Sequence, residues 1–103
     1  LLPKTVTKKQ AQITYATEAD ILNIALFGKT AKEWQSEHKG KEGNIRDYAD
    51  VVQLVVLANL ESINAEFIRK GIPQSERLIQ LNAIAISQMK SLIGNPSLKR
   101  LES

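Results

Sequence analysis

The chain has 103 residues, 43% of them apolar and 24% charged, which suits one small domain and argues against disorder throughout. It holds no cysteine, which excludes disulfides, thiolate metal sites and thiol nucleophiles. Fourteen Lys and Arg against eleven Asp and Glu leave a formal charge of +3, which permits nucleic-acid contact without demanding it.

Residues 1–12 read as a basic arm with Lys4, Lys8 and Lys9, β-branched at Thr5, Val6 and Thr7, and helical from near Lys8. Thr17 and Asp20 have capping-box spacing, although Asp is a poorer third-position partner than Glu. Ile21, Leu22, Ile24, Ala25 and Leu26 then run helically to Gly28, a candidate C′ glycine. Thr30 and Glu33 form a cleaner box and open a short helix, Ala31 to about Glu37, which carries Trp34. Residues 38–43 are a loop by composition. Asn44 with Asp47, and Asp50 with Gln53, offer two successive caps. A turn of helix at 45–49 leads into a long helix over 51–70, striped by Val52, Val55, Val56, Leu60, Ile63 and Phe67, with Leu57 and Asn64 beside the stripe. Glu66 and Lys70 have the favourable i,i+4 order. Gly71 ends that helix, and Pro73 pre-sets the first turn of another over 74–92.

That last helix carries Leu78, Leu81, Ala85, Met89 and Leu92 on one side, and Ile79, Ile86 and Ile93 at spacing seven on an adjacent side. Gly94-Asn95-Pro96 stops it, and 97–103 is a polar tail with Leu98 and Leu101. No strand-like alternation of useful length occurs. The fold class expected is therefore all-α, a small bundle built on a long antiparallel hairpin (51–70 and 74–92) with two shorter N-terminal helices. The tight Gly71-Ile72-Pro73 link forces the antiparallel arrangement. It brings Asn64 near Leu81 and Asn82, where the two asparagines either pair across the seam or both face solvent. The second helix is apolar on more than one side, so its extra face must pack on helix 18–27 or on another copy.

Chemistry-bearing patterns are sparse. Gly28-Lys29-Thr30 lacks the earlier glycine and the preceding strand of a phosphate loop. A helix stop, an exposed lysine and an N-cap explain it better. His38, the one histidine, reads as a surface loop residue, since without cysteine it cannot anchor a usual zinc site. Ser36 lies two residues away and faces elsewhere on the helix. The carboxylates sit at helix starts or on polar faces, where the macrodipole accounts for many of them. No catalytic activity, cofactor or small-molecule substrate is expected. Trp34 and Tyr48 read as core lids. Lys29, Lys32, Lys39, Lys41 and Arg46 crowd one helix–loop region, tempered by Glu33, Glu37 and Glu42. The helices flanking Gly28 could form a helix-turn-helix, whose short second helix carries Lys32 and Gln35 but also two acidic residues. The Asn44-to-Tyr48 run is expected to be a structural corner, with Arg46 paired to Asp50 and Tyr48 packed down. The longest near-apolar run, Val51 to Leu60, is shorter than a membrane span, and no signal-peptide layout opens the chain. A cytoplasmic protein without membrane contact is expected.

Five runs are similar to a known family: Ala19-Asp20-Ile21-Leu22-Asn23 with Ala25-Leu26-Phe27-Gly28; Thr30-Ala31-Lys32-Glu33-Trp34; Gly43-Asn44-Ile45-Arg46-Asp47-Tyr48-Ala49; Gln53-Leu54 to Asn59-Leu60-Glu61; and Gln74-Ser75-Glu76-Arg77-Leu78. Together they resemble the region that follows the KilA-N domain in phage and prophage KilA-N-domain proteins of bacteria, especially Bacteroidetes. The resemblance covers most of the chain. It implies a parent protein that binds DNA through a KilA-N domain whose own motifs are not in this chain, and it assigns no functional residue here. The opening Leu1-Leu2-Pro3, with the sole methionine at Met89, points either to a processed N-terminus or to a C-terminal fragment cut from a longer protein, and the second is the reading expected. The expected role is a helical interaction or oligomerisation module forming a homodimer through Leu54, Leu57, Ile79, Ile86 and Ile93, with DNA bound by the parent's other domain. The alternative is direct nucleic-acid binding through Lys29, Lys32, Lys39, Lys41 and Arg46.

Overall fold

Helices begin where a short polar side chain takes the first free amide. Thr7, Thr17, Thr30, Asn44 and Asp50 each accept from a backbone N–H two or three residues on. At four of these starts the N3 side chain returns the bond: Gln10 to Thr7, Glu33 to Thr30, Asp47 to Asn44 and Gln53 to Asp50. Asp20, one methylene shorter than Glu, makes no such return bond to Thr17. These caps delimit α1 (Lys8–Gln12), α2 (Glu18–Phe27), α3 (Ala31–Glu37), a 3₁₀ turn (Ile45–Tyr48) and α4 (Val51–Arg69), followed by α5 (Gln74–Ile93). This is a computed structural model and describes residues 2–93; the expected stop at Gly94-Asn95-Pro96 and the tail 97–103 lie outside them.

α4 stops in a Schellman turn. Gly71 takes a left-handed φ of 76°, its N–H donates to the Ile68 carbonyl, and the Ile72 N–H reaches back to the Phe67 carbonyl. The chain reverses there, and α5 returns antiparallel along α4. The fold is the all-α bundle expected, with α2 packed against both hairpin helices and α1 laid on α5. The molecule measures 39 × 35 × 21 Å, so its short dimension is about two helix diameters. One core joins Ile21, Leu22, Ile24, Ala25 and Leu26 of α2 to Val52, Val56, Leu57 and Leu60 of α4 and to Leu78, Leu81, Ala85 and Met89 of α5. Docking of α2 thus covers one of the extra apolar sides of the hairpin. α4 as a whole, unlike the shorter run from Val51 to Leu60, is long and apolar enough to cross a membrane. Here it buries its stripe against α2 and α5.

Several contacts differ from those expected. Leu57 is only 4% exposed and belongs to the core, because α2 fills the side of α4 that a lone hairpin would leave open. Asn64 and Asn82 are both buried, yet each has partners other than its neighbour across the seam. Asn64 Nδ2 donates to Glu18, and its Oδ1 accepts from Arg77 at 2.9 Å. Arg77, 8% exposed, also grips both carboxylate oxygens of Glu18 and the Ile72 carbonyl. Asn82 Oδ1 accepts from the Val6 N–H at 2.9 Å, while its Nδ2 donates to the carbonyls of Lys4 and Ala25. No buried side-chain nitrogen or oxygen among the described residues lacks a partner. Glu66 pairs with Arg69 rather than Lys70. Arg46 turns away from Asp50 to Asn23 and Glu61.

Candidate functional site

An apolar groove of about 250 Å³ runs along the outer side of α5, with the N-terminal arm as its second wall. Ile79, Ala83 and Ile86 line it from α5, and Val6 and Ala11 from the arm and α1. Asn82 holds the arm through its backbone at Lys4 and Val6, and this sets the wall at the edge of the groove. Val6 also packs against the core. Gln74 of α5 ties the next segment down by donating to the Ile13 carbonyl.

The five residues expected at an interface do not form one patch. Ile79, at 52% exposed, and half-buried Ile86 share the groove. Ile93, at 38%, continues their stripe toward the end of α5. Leu54, at 44%, is exposed on α4 and does not line the groove; Leu57 is inside the core. Ala83, Val6 and Ala11 are lining residues that the sequence reading missed. Ala83 had a signal, being i+4 from Ile79 and i−3 from Ile86 on one helix face. Val6 and Ala11 had none, since only the tertiary fold brings the arm to α5.

The basic region is arranged differently. Lys29 Nζ pairs with Glu37, whose carboxyl is pulled below its usual pKa by that hydrogen bond. Arg46 lies 3.5 Å from Glu61. Lys41 sits 5.0 Å above the Tyr48 ring. Tyr48 is not packed down: it is exposed, leans on Trp34 at 5.0 Å and donates its hydroxyl to the Glu42 carbonyl. His38 is half-buried rather than a free loop residue, because it caps α3 and stacks on Trp34 at 4.4 Å. Trp34 is buried outside the main core, so it lids a satellite cluster against the 3₁₀ turn. Lys32 and Lys39 are exposed and form no ion pair among the described residues.

No family model, curated protein or solved structure matches this chain.

Two larger hollows flank the arm, one of about 350 Å³ beside Leu2, Pro3 and Phe27 and one of about 390 Å³ beside Thr5, Gln10 and Ile24. Neither they nor the α5 groove is lined by His, Asp or Glu, so no acid–base pair faces a cavity there. Among the described residues, no cluster of three or more His, Asp or Glu could hold a metal ion. The groove offers apolar surface and shape, and little that could orient a polar ligand.

Proposed function

We propose that this chain is a non-catalytic helical association module that joins a second copy of itself through the outer face of α5. The observation that carries this reading is the exposed Ile79 beside Ile86 in an apolar groove, next to a core that is already complete without them. Burying that face gains about 25 cal/mol per Å² before the costs of association. The stripe Ile79, Ile86 and Ile93 repeats every seven residues, which suits a second helix better than a compact ligand. The resemblance to the region after KilA-N domains supports placing the module in a phage-related DNA-binding protein. Pairing would there set two DNA-binding domains side by side and raise avidity. Direct nucleic-acid contact through Lys29, Lys32, Lys39, Lys41 and Arg46 is the weaker reading, because Lys29, Lys41 and Arg46 already engage Glu37, Tyr48 and Glu61.

Sedimentation equilibrium tests the association. The wild-type chain should approach twice 11.5 kDa as concentration rises. Ile86→Asp should return the mass to that of one chain, with the helical circular-dichroism signal unchanged. A wild-type monomer at every concentration would overturn the proposal.

A further inference from the structure

The outer face of α5 carries more than three isoleucines. Read at alternating steps of three and four, it runs Glu76, Ile79, Ala83, Ile86, Lys90, Ile93. That is coiled-coil spacing over nearly the whole of α5, which spans Gln74–Ile93, with apolar residues at four of the six positions and charges at Glu76 and Lys90. Glu76, Ile79, Ala83, Lys90 and Ile93 are exposed, and Ile86 is half-buried in the groove it shares with the arm. The seam is bipolar, with its acid in the first turn of the helix and its base in the last. Its centre is small, with Ala83 between two isoleucines.

We infer that two copies of this chain pair through α5 in antiparallel orientation, with Lys90 of each subunit level with the partner's Ile79 and reaching one layer along the seam to the partner's Glu76. This rests on the association proposed above and adds its geometry. A parallel pair would stack Glu76 on the partner's Glu76, and Lys90 on the partner's Lys90. Both layers would then hold like charges beside apolar ones, which is unfavourable. Reversing one helix turns both repulsions into attractions. It also lets Ile86 fill the space above the partner's Ala83, a large side chain over a small one, twice by symmetry. Ile79 then lies under the aliphatic stem of the partner's Lys90, whose ammonium reaches toward Glu76. Val6 and Ala11 flank the seam, so the incoming helix rests in a trough rather than on a bare ridge.

Charge swapping in the full chain decides the orientation. The dissociation constant is measured by sedimentation equilibrium for wild type, Glu76→Lys, Lys90→Glu and the double variant. In the antiparallel pair each single change creates two like-charge contacts and raises the constant about tenfold, while the double restores it to within about twofold. Restoration cannot come from a better helix. Both changes oppose the α5 macrodipole, and Glu76→Lys also removes the acceptor for Gln80, so the double has the least favourable isolated helix. If all four proteins dimerise equally while Ile86→Asp is monomeric, the antiparallel pairing is wrong and the association face stands. If Ile86→Asp dimerises like wild type, the face itself is wrong.

Discussion

Glu18 is the first residue of α2, and its carboxylate receives both Arg77 and Asn64. The hydrogen bond from Arg77 is the main reason its pKa lies below the usual glutamate value; burial acts the other way. A carboxyl depressed on folding adds stability that is full above its unfolded pKa and is lost as pH falls through the folded one. The native fold should therefore weaken on acidification below the ordinary glutamate range. Glu18→Gln should cost about 1 kcal/mol near neutrality, a modest figure because the carboxylate is half exposed and screened. Its deficit should shrink as pH drops. Urea denaturation across a pH series checks this, and a deficit independent of pH would count against the pairing. Arg77 bears the larger burden, since its buried guanidinium needs Glu18, Asn64 and the Ile72 carbonyl together.

At the scale of elements, the hairpin depends on how α4 ends. Gly71 has a left-handed backbone and open space where a Cβ would go. Gly71→Ala should thus cost about 1 kcal/mol through backbone strain alone, with no clash to relieve. Thermal denaturation should show a lowered midpoint and unchanged helicity. This turn, the caps and the helical stripes were readable in the sequence because each depends on residues within one or two turns of one another. Thr30 with Glu33 and Asp50 with Gln53 are complete signals in four residues. What could not be read depends on which elements meet. Leu57 looks like any stripe neighbour until α2 is known to cover it. Arg46 has Asp50 close in sequence, yet Asn23 and Glu61 are closer in space. Ile79 and Ile86 were found by their spacing, whereas the arm that walls their groove was not.

Across the whole molecule, a single side chain joins the arm, α2 and α5. Asn82 satisfies the Val6 N–H and the carbonyls of Lys4 and Ala25 from a site almost without solvent exposure. Asn82→Ala strands all three. The expected loss is about 2–3 kcal/mol, or roughly 10–20 °C in Tm for a domain of this size. Calorimetry measures it directly. A loss near that of an ordinary surface substitution would show that the arm is not held through this amide.

The same contact orders events in time. Asn82 lies 76 positions from Val6 and 78 from Lys4, whereas the α4–α5 hairpin closes across a four-residue link, Lys70 to Pro73. Closing short loops costs less entropy than closing long ones, so the hairpin should form early and the arm should seat late, an order that pulsed hydrogen exchange at the Val6 amide would check. Until it seats, the amide of Val6 exchanges its proton with water; once seated, that proton is sheltered while exposed neighbours in the arm still exchange. The trough along α5 thus gains its second wall only when the first residues of the chain reach a helix near its other end, and a half-folded chain offers a partner an unfinished surface.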